Sequence, residues 1–179
     1  MDSDLILSNK PMDIRTPIDE ETIKNFQVGD RITVSGSIFC GRDAVLPRIA
    51  QMIRNGTIRD AAFDLCGGLV FHTAVSPAGI GPTSSNKLEI ESTMGILSSA
   101  GIRMHLGKGK ISPRTVEELR ACNAVYAIIP PVTALLGAKT SNIKCIAFPE
   151  LGMEALYSID VDRIPVIIAA AHGRSIYDE

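Results

Sequence analysis

The apolar positions of this chain change period several times, and each change marks an element. Between Arg31 and Cys40, Ile32, Val34 and Ile38 share one face, which predicts a strand with Gly36 at a bulge or bend. Val45, Leu46, Ile49, Met52 and Ile53 then follow helical spacing up to Asn55-Gly56. Pro47 places the start of that helix beside itself, because a later proline would break the hydrogen-bond ladder. Gly67-Gly68 introduces a strand over Leu69 to Ala74. A Gly/Pro-rich loop, Ser76 to Pro82, leads into a helix from about Ser84 to Ala100, closed by Gly101.

Further strands are expected at Ile102 to Leu106, Ala124 to Ile129, Ile143 to Phe148 and Ile164 to Ala170. Short helices are expected from Thr16-Pro17, with Thr16 as cap, from Ser112-Pro113, and over Glu150 to Tyr157. Strands alternating with helical or loop crossovers predict an α/β domain with at least part of its sheet parallel. Several strands are continuous apolar runs, as in sheets covered on both faces. No repeat, low-complexity tract or linker divides the chain, so residues 1–179 are expected to form one domain.

Composition narrows the function. Apolar residues make up 45% and charged residues 21%, the balance of a soluble globular protein. A net charge of -2 and 4% aromatic content argue against nucleic acid as a partner. No apolar run approaches the roughly 20 residues of a membrane helix, and the acidic start Met1-Asp2-Ser3-Asp4 is unlike a signal peptide, so a cytoplasmic location is expected. Cys40, Cys66, Cys122 and Cys145 are scattered, without zinc-knuckle spacing, and read as reduced core cysteines. An iron–sulfur cluster held by this chain alone would need clustered thiolates, which the spacing does not provide.

Three segments carry candidate chemistry. Gly41-Arg42-Asp43 ends a strand and begins a helix. Asp43 there is either a helix cap beside a solvated Arg42, or Arg42 is a two-pronged grip for a carboxylate at a strand's C-terminal edge. Gly81-Pro82-Thr83-Ser84-Ser85 is a turn and cap, or a seat of hydroxyls and N–H groups for an anion. Gly107-Lys108-Gly109 is a basic turn, or one cation on backbone thin enough to approach a ligand closely. Neither glycine segment has the Lys-Ser or Lys-Thr of a P-loop. His72, in an apolar strand, reads as a satisfied core or edge histidine; His105 faces away from Met104 and Leu106; His172 lies in a turn. No Ser-His-Asp or Cys-His set can be assembled from order alone. Together, Arg42, Thr83 and Lys108 suggest a small site for a multiply charged carboxylate.

These segments, followed by Pro149-Glu150-Leu151-Gly152-Met153-Glu154-Ala155, occur in an order that resembles the β subunit, or C-terminal domain, of iron–sulfur-dependent class I fumarate hydratases and L-tartrate dehydratases. The resemblance runs from about Asp30 to Asp162, and Glu154-Ala155 is more like the fumarase branch. It implies a swivelling β/β/α fold, a mixed sheet with helices packed on it. It implies a hydro-lyase active only with an α subunit, which carries a 4Fe–4S cluster; this chain itself would bind neither metal nor cofactor. Carried over, the family's arginine in Gly-Arg-Asp falls on Arg42, its threonine on Thr83 and the lysine of Gly-Lys-Gly on Lys108. A further family arginine falls on Lys87, which keeps the charge but loses the planar fork. The implied reaction interconverts fumarate and (S)-malate, with Thr83 and Lys108 catalytic and Arg42, Thr83, Lys87 and Lys108 binding the dicarboxylate. L-tartrate dehydratase and a non-catalytic anion-binding module are the alternatives. The four residues are expected on one face at strand ends, open to solvent, in a hetero-oligomer whose isolated β chain self-associates.

Overall fold

The computed structural model describes residues 10–76, 79–83, 87–130 and 137–178, with the backbone alone for residues 82 and 83. The described residues form nine strands: β1 (Met12–Arg15), β2 (Arg31–Gly41), β3 (Leu69–Ser76), β4 (Gly79–Thr83), β5 (Met104–Gly107), β6 (Val125–Ile128), β7 (Thr140–Ala147), β8 (Leu156–Ala171) and β9 (Arg174–Ser175). Helices α1 (Glu20–Asn25), α2 (Leu46–Arg54), α3 (Lys87–Ser99) and α4 (Pro113–Ala121) connect them, with 3-10 turns at Thr57–Asp60 and Pro149–Glu154. This is the expected α/β architecture, a mixed sheet with helices packed on it.

Strands β2, β3, β5 and β6 are mutually parallel in that order. β8 runs antiparallel to β6 and also to β2, so the pairings β2-β3-β5-β6-β8-β2 close into a ring. Its interior is apolar because alternate residues point inward: Ile32, Val34, Ile38 and Cys40 from β2, Leu69 and Phe71 from β3, Met104 and Leu106 from β5, Val125 and Ala127 from β6. The intervening residues face the helices. Val70 meets α2 and Leu97 of α3, and Tyr126 meets Ile90 and Met94 of α3 with Val116 and Leu119 of α4.

β8 departs most from expectation. Its two halves present Ile159 and Val161, then Ile164, Val166 and Ile168, to the same interior. Strict alternation would send one of these sets outward, since a one-residue slip flips every side chain. One extra residue resolves the conflict. Gly36 opposes Val161 whereas Val34 opposes Ile164, and Arg163 in the added segment takes φ 48°. The expected short helix from Glu150 to Tyr157 is therefore only the turn Pro149–Glu154, kinked at Gly152 (φ 60°), and Tyr157 already belongs to β8. The bulge expected at Gly36 is present, at φ 107°.

Other boundaries shift for local reasons. Thr16 does not cap a helix, because its N–H donates to Ser35 O (3.0 Å) and its hydroxyl to Ser37 O (2.7 Å), tying the segment to β2. Asp19 is the cap of α1, accepting from Thr22 N at 2.7 Å. The loop expected from Ser76 to Pro82 is in part β4, which folds back on β3 with Thr83 opposite Thr73. Asp43 caps no helix; Val45 precedes α2, and Pro47 sits in its first turn as expected. Cys40 alone among the cysteines is buried. Cys66 and Cys145 are exposed, and all four are free thiols.

Gly36 has no room for a methyl group. A Cβ there would collide with the Thr16 hydroxyl and sit 3.1 Å from its carbonyl oxygen, on backbone already at positive φ. Gly36→Ala is expected to lower unfolding free energy by about 2 kcal/mol or more, measured as a reduced urea midpoint with unchanged m-value.

Candidate functional site

The parallel strands fix where the candidate residues emerge. Gly41 of β2 pairs with His72 of β3, and Phe71 of β3 pairs with Leu106 of β5, so Gly107 lies beside His72 one step further along. Gly41, His72 and Gly107 therefore form a row at the carboxyl ends of three adjacent strands. Arg42 and Lys108 each follow that row by one residue, two strand spacings or about 10 Å apart along the edge. β4 returns along β3 until Thr83 stands opposite Thr73, the residue after His72. Thr83 thus reaches the same end of the sheet through its backbone; its side chain, with Ser84 to Asn86, lies outside the described residues. In parallel sheets, open or closed into a barrel, ligands bind at this carboxyl end.

Lys87 begins α3 and is exposed. Its Nζ lies 3.3 Å from where a Cβ would stand on Gly109, whose φ is 74°. The Gly107-Lys108-Gly109 turn and Lys87 are accordingly side by side, and a side chain at position 109 would crowd the ammonium group. The turn is held from below by Tyr126, a buried residue whose hydroxyl donates to Gly109 O at 3.1 Å. A Cβ on Gly107 would press to 3.0 Å from that hydroxyl, so any larger residue there would have to push the phenol aside. Burial foremost pushes the Tyr126 pKa up, with Tyr177 and Glu91 adding to it, so the hydroxyl stays a donor.

Glu91, one turn along α3 from Lys87, links this end to α4. Its Oε1 accepts from Ser112 N and Thr115 Oγ1, both at 2.6 Å. Burial raises its pKa, but the hydrogen bonds from Thr115 and Ser112 and the charge of Lys87 outweigh that, and the carboxyl remains below its usual range.

Arg42 differs from the two lysines. Lys87 and Lys108 are exposed as expected, whereas Arg42 is half-buried and ion-paired. Its Nε lies 3.1 Å from Glu154 Oε1, and its Nη2 lies 3.9 Å from Asp43 Oδ2. The expectation that all the cations would stand open to solvent is corrected here. A guanidinium among the buried residues at the mouth of β2 needs a counter-charge, and Glu154 supplies it.

Beneath the row runs a buried polar chain that sequence reading left unassembled. His72 and His105 are fully buried on the helix-facing side of β3 and β5. His72 Nε2 and His105 Nδ1 are 3.1 Å apart, and His105 Nε2 lies 2.9 Å from Ser98 Oγ on α3. His72 is less well satisfied than expected, since its Nδ1 has no hydrogen-bond partner. Burial pushes the His72 pKa down to about 3; burial, then the charge of His72, holds His105 well below its ordinary value. Both rings are neutral between the cations. The one cue to this pair was a single histidine in each of two apolar strands, which does not reveal their register.

Among the described residues, no group of three or more His, Cys, Asp or Glu side chains converges as metal ligands. The buried Cys40 thiol is also held protonated, because burial pushes its pKa up. No described helix is long and apolar enough to cross a membrane.

Arg42, Lys87 and Lys108 thus gather at the carboxyl ends of parallel strands, over a neutral polar floor. A sequence model of the family described as Fumarase C-terminus matches residues 2–179, and the chain belongs to that family. Fumarate hydratase 2 of Leishmania major is 25% identical over 178 residues, covering 94% of this chain and 31% of that protein. The anaerobic class I fumarate hydratase of Escherichia coli K12 is 26% identical over 167 residues, covering 88% of this chain and 30% of that protein. The L(+)-tartrate dehydratase subunit beta of the same strain is 27% identical over 179 residues, covering 93% of this chain and 86% of that subunit. The chain thus spans about a third of the fumarate hydratases and most of the dehydratase subunit. The names of all three relatives describe hydro-lyases.

The buried histidines make stability pH-dependent. Unfolded chains protonate these rings below about pH 6.5, while the folded chain resists until far lower, near 3 for His72. Their contribution is therefore complete above pH 6.5 and is lost as pH falls toward 3. Unfolding free energy is expected to fall by up to about 1.4 kcal/mol per pH unit for each ring. Urea melts at pH 7, 6 and 5 measure this; equal midpoints at all three would contradict it.

Proposed function

We propose that this chain is the dicarboxylate-binding subunit of a two-subunit hydro-lyase that interconverts fumarate and (S)-malate. The supporting observation is that Arg42, Lys87 and Lys108, far apart in sequence, share one end of the sheet with Thr83 in a chain of the Fumarase C-terminus family. Hydration and its reverse move a proton to or from a carbon next to a carboxylate, and negative charge builds on that carboxylate in the transition state. Fixed cations aimed at developing charge lower the barrier. Lys108, on a turn pinned by Tyr126, is the cation at that carboxylate. Lys87 and Arg42 hold and orient the remaining anionic oxygens. Thr83, whose backbone ends at the same edge, serves as an orienting group or a proton carrier.

The Lewis acid of the reaction belongs to the α subunit, which holds the iron–sulfur cluster, and the residues of this chain bind and orient substrate beside it. Exposed apolar side chains next to the site support such docking: Leu88, beside Lys87, is 85% exposed and Met153, beside Glu154, 51%. The two-subunit arrangement also takes support from the relative that is itself a subunit beta. That relative gives a second reading, with L(+)-tartrate as substrate. The identities of 25% to 27% are too alike to separate the two, and a substrate panel on the reconstituted enzyme decides between them.

The chain alone is expected to show no hydratase activity with fumarate, malate or tartrate; robust turnover without a partner would overturn the split-enzyme reading. In the reconstituted enzyme, Lys108→Ala should lower turnover by about 100- to 1000-fold. Lys110→Ala, one step outside the Gly107–Gly109 turn, should stay within about twofold. Equal effects from both substitutions would reduce Gly-Lys-Gly to a basic turn.

A further inference from the structure

The Pro149–Glu154 turn is built more firmly than a surface connection needs. Phe148, just before it, takes φ 55°, and Arg48 of α2 stacks its guanidinium 5.4 Å from the centre of the Phe148 ring. The same Arg48 donates from Nη1 to Glu150 Oε1 at 2.9 Å. At the far end the Tyr157 hydroxyl donates to Gly152 O at 2.9 Å, and Ala155 is buried. Tyr157 is in register with Cys40 across the β2–β8 pair. Running that antiparallel register two steps on sets Ala155 opposite Arg42, with Glu154 next. The turn and the ladder together therefore bring the Glu154 carboxylate to Arg42 Nε at 3.1 Å.

We infer that Glu154 is a positioning residue for Arg42, setting the plane of the guanidinium so that its terminal nitrogens address a substrate carboxylate. The inference rests on the dicarboxylate site described under Proposed function. A guanidinium grips a second carboxylate with two parallel bonds only when its plane is aligned, and an arginine side chain left to itself samples many rotamers. An ion pair 3.1 Å from Nε restricts that freedom before substrate arrives, which lowers the entropy cost of binding. The alternatives make different predictions. A carboxylate that only competes with substrate for Arg42 would weaken binding, and its removal would tighten it. A carboxylate that only holds the turn would affect stability and nothing else.

The test is steady-state kinetics with fumarate and with (S)-malate on the reconstituted enzyme, with urea midpoints as the fold control. Glu154→Ala is expected to raise KM about tenfold while kcat changes less than about threefold. Glu154→Gln keeps an acceptor of the same reach and should bring KM back to within about threefold of the parent. If the alanine variant does not fold, Glu154→Asp keeps the charge but withdraws it by one methylene. KM should then rise if alignment matters, and an unchanged KM overturns the inference. Unchanged or lowered KM in both the alanine and glutamine variants overturns it as well, leaving the site reading intact. A parent enzyme inactive on fumarate, malate and tartrate removes the site reading, and the role of Glu154 with it.

Discussion

Closure of β8 onto β2 is the constraint from which the rest of this structure follows. β2 lies at the junction of three strands, β1 and β3 on one side and β8 on the other. The β8 contact turns an open parallel sheet into a ring with an enclosed apolar interior. Once that ring is closed, the carboxyl ends of β2, β3 and β5 sit at one rim, and whatever follows them in sequence must emerge there. The rim residues are polar or glycine because the interior below them is already filled. The same ladder carries the turn at Pro149–Glu154 over the end of β2, so Arg42 meets its counter-charge through the pairing that closes the fold.

Much of this was legible from the chain. The apolar runs at β3, β5 and β6 gave strands covered on both faces, and Gly36, Pro47 and Ser112 marked a bulge and two helix starts where they occur. Only the second half of β8, from Ile164, reads as a strand, because the alternation changes phase between Val161 and Ile164. A sequence pattern registers that as a boundary, whereas the fold absorbs it as one unpaired residue in a continuous strand. The β4 hairpin was missed for a related reason: Gly79, Gly81 and Pro82 are punctuation in a single-sequence reading, and only the partner strand β3 makes them extended.

The site was legible as a set of cations in an order, and not as an arrangement. Gly-Arg-Asp and Gly-Lys-Gly announced backbone turns at strand ends, which the parallel register bears out. The pairing of Arg42 with Glu154 and the stacking of His72 on His105 depend on which strands are neighbours, and no local signal encodes that. Tyr126 is the same case. Its ring reads as core, and only the register of β6 against β5 puts its hydroxyl under Gly109. The resulting electrostatic design is graded: one cation balanced by a carboxylate, two exposed on flexible stems, and neutral rings underneath that add no charge of their own.

The ring also dictates the order in which the chain can become a protein. The Ser37 and Ser158 hydroxyls, hydrogen-bonded at 2.7 Å across β2 and β8, are 121 positions apart. At synthesis rates of about 5–20 residues per second, β2 is out of the ribosome for roughly 6–24 seconds before its partner is made. During that time it has only β1 and β3 to pair with, and its other edge offers unsatisfied N–H and C=O groups to any strand nearby. Fastening such distant segments carries a large loop-closure entropy, so the step belongs late in folding and slows it. Chains stalled before β8 would be the adhesive ones, and the strand that completes the barrel interior is also the one that ends that exposure.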